Sequence, residues 1–338
     1  MLKFIIISLS LWFISPTLTA AEKNQELESL IKNEQLKEAE SLVKNLLQSA
    51  KTKEQQMEYQ SKLAQILLSD KRYDDAEEAI EDLIEMKGLS EQHWLLAASV
   101  YGVQAQESSI FSKLGYAKKA KKSLESLLKD YPNSRDGIIG LIQFHRAAPG
   151  IAGGDEDQIP QLMQRLETVN SEWYSIISAQ QAFANEDIEK GLTILDKGIE
   201  KNPKSIDLTY VKGMRLVNME QFAKAFALLD SIQSLPLEED SSEQQKDWAE
   251  MALYQSAKIS AEKAIKLEQG KKNLYAFMDS EQTQIPEAWI RFRLGQILWK
   301  LNDKESSIAQ FQLIPTLDPE KELEKRIKTF IKEQSIEL

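Results

Sequence analysis

A small residue returns along this chain at nearly regular intervals, at Ala39, Ala76, Ala120, Gly191, Ala225, Gly270 and Ser307. The intervals run from 34 to 45 residues, apart from one of 71 that leaves room for a further, degenerate unit around 135–169. Around each small residue, apolar side chains recur three and four positions apart, the spacing of an amphipathic helix face. The chain of 338 residues has only 13 glycines and 9 prolines, and these fall between the helical runs. A period of this length marks one helix-turn-helix unit used repeatedly, each copy burying its apolar face by stacking on the next.

Three segments show the unit plainly: residues 59–85, 210–236 and 291–319. Each has an apolar helix, a short polar turn, then a second helix with a small residue near its start. The last holds Leu294, Gly295, Leu298, Ser307, Phe311 and Pro319 in register. Another holds Ala179, Gly191, Leu195 and Pro203, and the next holds Gly213, Phe222, Ala225 and Leu229. An earlier one has Leu63, Ala64, Leu67, Tyr73, Ala76 and Ile80. The segment 94–101, WLLAASVY, reads as a first helix whose second helix carries Ala120, Leu124, Leu127 and Pro132. Two helices approach closely only where a side chain is nearly absent, so small residues sit at the crossing and large ones fill the flanking grooves.

This register resembles the tetratricopeptide repeat family. The resemblance implies an all-α fold: a right-handed α-solenoid of antiparallel helix pairs. It implies about eight pairs between Glu22 and Pro319 and a charged C-terminal capping helix over 320–335, in one solenoid domain at 22–338. Insertions blur the repeat boundaries near 104–117 and 238–248.

Residues 1–21 read differently. Lys3 is the only charge, Phe4 to Ile14 is an apolar run, and Thr17, Thr19, Ala20 and Ala21 are small. That order is the pattern of a cleaved secretory signal peptide. The run is shorter than the ~20 residues that a membrane-spanning helix needs, and no later segment is apolar enough to span. The expected product is exported, most simply to the periplasm. With no cysteine, it must be held by packing alone in a compartment that permits disulfides.

The formal net charge is −11, from 42 Lys+Arg against 53 Asp+Glu. Binding to a phosphate backbone rests on positive charge. Nucleic acid and anionic membrane surfaces are therefore not expected partners.

The stretch PGIAGG, residues 149–154, could be mistaken for a phosphate cradle. Such a cradle follows a strand and carries a cation. Here an apolar helix precedes it, and Asp155, Glu156 and Asp157 follow. The stretch reads as a long turn of the degenerate unit, with Asp155 or Asp157 as cap of the next helix and Pro160 near that helix's start, where its missing N–H is tolerated.

No catalytic constellation is visible. Cysteine is absent, and His93 and His145 are the only histidines. General-base work needs a positioned partner for the base, and zinc sites need ligand spacing that two distant histidines lack. No catalytic residue, cofactor or metal is expected.

In the resembled family, the first helix of each pair lines an inner wall. Carried onto this register, the wall would present Trp173, Ile176 and Phe183, then Tyr210 and Met214, then Trp289, Phe292, Gln296 and Trp299. Aromatic side chains give large contact areas at low entropic cost. The alternative role of these rings is core packing. The expected function is a non-enzymatic protein–protein interaction scaffold of the cell envelope, holding a peptide or helix of a partner in its concave groove. A small-molecule or transport-accessory binding protein using the same groove is the alternative. Solenoid edges also leave self-association open.

Overall fold

A computed structural model describes residues 20–238, 241–280 and 285–336. Apart from Ala20 and Ala21, the expected signal peptide lies outside the described residues. The chain is all-α: no strand occurs among the described residues, and helix pairs follow one another in sequence order. The pairs are α1 (Ala20–Lys32) with α2 (Leu36–Ser49), α3 (Lys53–Ser69) with α4 (Tyr73–Glu85), and α5 (Glu91–Glu107) with α6 (Ile110–Asp130). Then come α7 (Arg135–Ala147) and α8 (Ile159–Val169), followed by the pairs α9 (Ser171–Ala184) with α10 (Ile188–Lys201) and α11 (Ile206–Asn218) with α12 (Phe222–Ser231). Last are α13 (Glu243–Lys263) with α14 (Leu267–Met278), α15 (Glu287–Lys300) with α16 (Lys304–Leu313), and a single α17 (Lys321–Gln334).

The helices group into two compact units, where the sequence reading has one domain. Met1–Gly137 with Phe144–Asp155 form the first, and Ile138–Gln143 with Glu156–Leu338 form the second. The first unit has a continuous core that includes Leu27, Val43, Ile66, Ile80, Val100 and Tyr101. In the second, separate apolar clusters follow the pairs: Ile176 and Leu195, then Phe226 and Leu229, then Leu274 and Phe277, then Phe292, Phe311 and Phe330.

The crossings obey the small-residue rule. A Cβ built on Gly295 would lie 2.5 Å from Phe311 Cε1, and one on Gly213 would lie 2.7 Å from Leu229 Cδ2. Ser307 closes the same crossing as Gly295, donating its hydroxyl to the Gly295 carbonyl at 2.8 Å.

The turns inside the pairs repeat one geometry. Glu34, Lys71, Glu186, Glu220 and Asn302 all take left-handed φ between 55° and 67°. The residue after each donates its N–H back to Leu30, Leu67, Ala182, Leu216 and Leu298 respectively, at 2.9–3.0 Å. The left-handed residue itself donates to Ile31, Leu68, Phe183, Val217 and Trp299, at 2.9–3.1 Å. This is the Schellman closure, which satisfies carbonyls that a helix end leaves orphaned.

The glycine stretch is a turn. Ala148 ends α7, Gly150–Ala152 form one 3-10 turn, and Gly153 takes φ 97°. Gly154 packs so closely on the Ala148 carbonyl that any Cβ would overlap it. A 3-10 turn over Glu156–Gln158 leads into α8, whose N-cap position is Gln158 and makes no side-chain capping bond.

Candidate functional site

In the second unit, first helices pack on first helices: α9 on α11, α11 on α13, α13 on α15. Side-chain caps fix where these helices begin. Asn170 Oδ1 accepts from Trp173 N at 2.9 Å, and Ser205 Oγ accepts from Leu208 N at 3.1 Å. Ser242 and Gln245 form a reciprocal capping box on α13. Polar ties then hold neighbouring starts together. The Ser205 hydroxyl donates to Glu172 Oε2 at 2.7 Å, and Gln245 Nε2 donates to the buried Asp207 Oδ2 at 3.0 Å.

The result is an aromatic cluster across three helices. Tyr210 of α11 stacks on Trp248 of α13 at 5.0 Å and 18° between planes. Trp173 of α9 lies 6.1 Å from the same indole. All three rings are partly exposed. Burial pushes the Tyr210 hydroxyl above the usual tyrosine value. Met214 is one turn on from Tyr210, partly exposed, and packs in the same cluster as Tyr210 and Trp248. Sequence reasoning missed Trp248, which falls in the stretch taken as an insertion. Trp173, Tyr210 and Trp248 follow one another at intervals of 37 and 38 residues, about one repeat each, and that spacing is the signal that would have found it.

The other expected groove residues fare differently. Ile176 is 0% exposed and belongs to the core, because α10 and α11 close over that face of α9. Phe183 fills the space over Gly191, where an added Cβ would come within 2.2 Å of its ring, and carries the Arg215 guanidinium 4.2 Å above its face.

On α15, the structure brings Trp289, Phe292, Gln296 and Trp299 together, but α17 lies against them. Phe292 is 2% exposed and meets Phe330 of α17 edge to face at 6.2 Å. Gln296 is also buried and accepts from Arg293 Nη1 at 3.0 Å. Trp289 and Trp299 remain partly exposed. Arg326 of α17 sits 5.6 Å from the Trp289 ring, and Trp299 Nε1 donates to Gln334 of α17 at 3.2 Å. Phe292 and Gln296 thus have almost no surface to offer a partner. The apolar side of α17, through Leu323, Ile327, Phe330 and Ile331, already occupies this face.

Between the end of α13, α15 and α17 runs a cleft of ≈ 540 Å³ with a polar, cation-rich lining. Arg293, 3% exposed, pairs with Glu262 at 2.8 Å. Among the described residues, Lys300 donates only to the Ala261 and Glu262 carbonyls at the end of α13. Burial lowers Lys300 below the usual lysine value; Glu262 opposes that shift, while Arg293 and Lys263 add to it.

Clefts also open among the described residues of the first unit. One, of ≈ 340 Å³, is lined by Glu81, Trp94, Tyr101 and Lys119. Its charges are matched: Lys119 pairs with Glu77 at 2.5 Å and Glu81 at 2.8 Å, while Tyr116 and Gln104 also donate to Glu77. Burial would raise Glu77, but the hydrogen bonds from Lys119, Tyr116 and Gln104 hold it below the ordinary carboxylate value. Burial, together with Glu81 and Glu77, pushes Tyr101 up to about 12 against the opposing charge of Lys119. Trp94 packs on the core while its indole N–H donates to Asp130 at 3.1 Å. Another cleft, ≈ 270 Å³, is apolar and bordered by Ala105, Leu114, Phe144 and Pro149.

Both histidines serve the backbone. His93 Nδ1 accepts from Ser90 N at 3.2 Å in a capping box, and His145 Nδ1 accepts from Asp155 N at 3.0 Å, holding the PGIAGG turn closed. Lys121 donates to the Gly153 carbonyl at 3.0 Å from the other side. Among the described residues, no cluster of three or more His, Cys, Asp or Glu could hold a metal ion, and no helix is long and apolar enough to cross a membrane.

A tetratricopeptide repeat family model matches residues 290–321, which are α15, α16 and the turn after them. No curated protein matches the chain. Among solved structures, a tetratricopeptide repeat protein from Parabacteroides merdae aligns at 13% identity and TM-score 0.41, over 82% of this chain and 98% of that one. The human IFIT1 dimer with m7Gppp-AAAA aligns at 12% identity and TM-score 0.44, over 92% of this chain and 72% of that one. Human IFIT1 with PPP-AAAA aligns at 12% identity and TM-score 0.43, with the same coverage.

Proposed function

We propose, of a chain that carries a tetratricopeptide repeat and is built from helix pairs of that kind, that it is a non-enzymatic protein–protein interaction scaffold. Its site is the face of α9, α11 and α13, and its ligand is a peptide or helix of an envelope protein. The observation that carries this reading is the cluster of three partly exposed rings on α9, α11 and α13, in which Trp248 stacks on Tyr210 and meets Trp173 at a tilt. Rigid aromatic surface of this kind is what binding hot spots are made of. The net charge of −11 favours a neutral or basic occupant. Export to the periplasm is part of the proposal and is supported by the signal-like composition of residues 1–21.

A photo-crosslinking residue at Met214, tested in cells, examines the site. A discrete adduct with an envelope protein is expected. The absence of any adduct, beside a working crosslinker control, counts against it. Fusing residues 1–21 to a reporter active only outside the cytoplasm tests export separately; an inactive fusion removes that part.

A further inference from the structure

The cleft between α13, α15 and α17 holds more positive than negative charge, although the chain as a whole is acidic. Its lining includes Lys263, Arg293, Lys300, Lys325 and Arg326 against Glu262, Glu322 and Glu333. Two of the acids are already used. Glu262 pairs with Arg293, and Glu322 pairs with Arg326 at 3.0 Å. Among the described residues, Lys263, Lys300 and Lys325 form no ion pair, and Lys263 instead lies 4.2 Å over the Phe222 ring. Arg293 is nearly fully buried, and its Nε has no hydrogen-bond partner. The buried Gln296 gives its carbonyl oxygen to Arg293 Nη1. A buried donor without an acceptor is costly, so the cleft is short of acceptors and of negative charge together.

We propose that this cleft binds a small polyanion, a molecule carrying two or more phosphate or carboxylate groups, and that the bound anion clamps α17 onto α15. The dimensions suit a small molecule, since ligand clefts run from about 300 to 1,000 Å³ and this one is ≈ 540 Å³. Arg293 and Gln296 are buried polar side chains of the lining, while Lys300 and Lys325 bring charge from two different helices. Lys300 belongs to α15 and Lys325 to α17, so one anion between them bridges the two helices. A ligand that binds only when α17 is seated stabilises the seated state by mass action. The first unit gives the contrast: its Lys119 is satisfied by two carboxylates and leaves no charge for a ligand.

The test uses the purified chain at constant ionic strength, titrated calorimetrically with sodium pyrophosphate and, separately, with citrate. Saturable one-site binding of at least one probe is expected. Pyrophosphate alone points to a phosphorylated ligand, citrate alone to a polycarboxylate, and both to recognition by charge. The variant K325Q changes a side chain that makes no ion pair and should unfold at the wild-type midpoint without anion, whereas K300Q/K325Q also loses the Lys300 hydrogen bonds to the Ala261 and Glu262 carbonyls and should unfold somewhat earlier. At a temperature where both are folded, K325Q should bind the probe more weakly than the wild type and the double variant at least tenfold more weakly. Hydrogen exchange over residues 321–334 should slow when the probe is added to the wild type. Failure of both probes to bind, or equal binding by the double variant, overturns the site. Binding without slower exchange in α17 overturns the clamp.

Discussion

The ring of Phe330, on the last helix, stands at 89° to the ring of Phe292 with centroids 6.2 Å apart. Phe311 completes the cluster at 5.8 Å from Phe330 and 6.3 Å from Phe292. Through this contact the chain covers the α15 face with its own helix, whereas Trp173, Tyr210 and Trp248, the surface proposed above, stay partly exposed. Phe330→Ala removes a ring that is 8% exposed, and truncations of buried Phe cost about 3–5 kcal/mol. The expected result is faster hydrogen exchange over 321–334 and red-shifted tryptophan fluorescence from Trp289 and Trp299. Exchange over α9 and α11 should stay as in the wild type, since stability in repeat stacks is local.

Gly295→Ala and Gly115→Ala should move stability in opposite directions. A Cβ at Gly295 collides with Phe311, and overpacking of a filled crossing costs about 1–3 kcal/mol. A Cβ at Gly115, inside α6, meets nothing within 4 Å. There Ala should stabilise by about 0.5–1 kcal/mol, because Gly is the more flexible residue in the unfolded chain. Urea unfolding of both variants reads the signs.

Left-handed turn residues should welcome glycine. Lys71 (φ 60°) and Glu186 (φ 60°) hold a conformation that disfavours side chains by about 1–2 kcal/mol. Lys71→Gly and Glu186→Gly should each raise stability by about 0.5–1 kcal/mol, the gain being reduced by the larger entropy of Gly in the unfolded state. Lys71→Pro should destabilise strongly, since proline cannot adopt positive φ.

Stability should fall as the pH drops below the ordinary histidine value. Burial lowers both His93 and His145, with Lys121 also lowering His145 and Asp155 opposing. Each Nδ1 accepts a backbone N–H, so protonation removes an acceptor. The unfolded chain then binds more protons than the folded one. The contribution is full above about pH 6.5 and is lost as the pH falls towards the depressed folded values. The double variant His93→Gln/His145→Asn keeps an acceptor near each site without a titrating group. Its unfolding midpoint should be flatter than the wild type's between about pH 7.5 and 5.5.

The helix pairs were legible because their determinants are local. Apolar spacing marks the helices, and the small residues at Gly213, Gly295 and Ser307 mark the crossings. The site was less so, because exposure depends on what packs from elsewhere in the chain. The register that puts Phe292 and Trp289 on an inner face carries no sign that Leu323 and Phe330 return to cover it. Ile176 and Trp173 are three residues apart on one helix, yet one is sealed and the other partly open, a difference decided by the neighbouring helices. Trp248 stayed hidden because it lies in the stretch 238–248 that reads as an insertion, although it stands 38 residues, about one repeat, after Tyr210.

The most direct measurement is in-cell crosslinking with the wild type, Trp173→Ala/Trp248→Ala and Trp289→Ala/Trp299→Ala side by side, with helicity checked by circular dichroism. A partner band that persists in the wild type and in Trp289→Ala/Trp299→Ala, but is lost in Trp173→Ala/Trp248→Ala, is the expected result. A band that survives loss of Trp173 and Trp248 and disappears with Trp289 and Trp299 would contradict the partly exposed cluster as the binding surface.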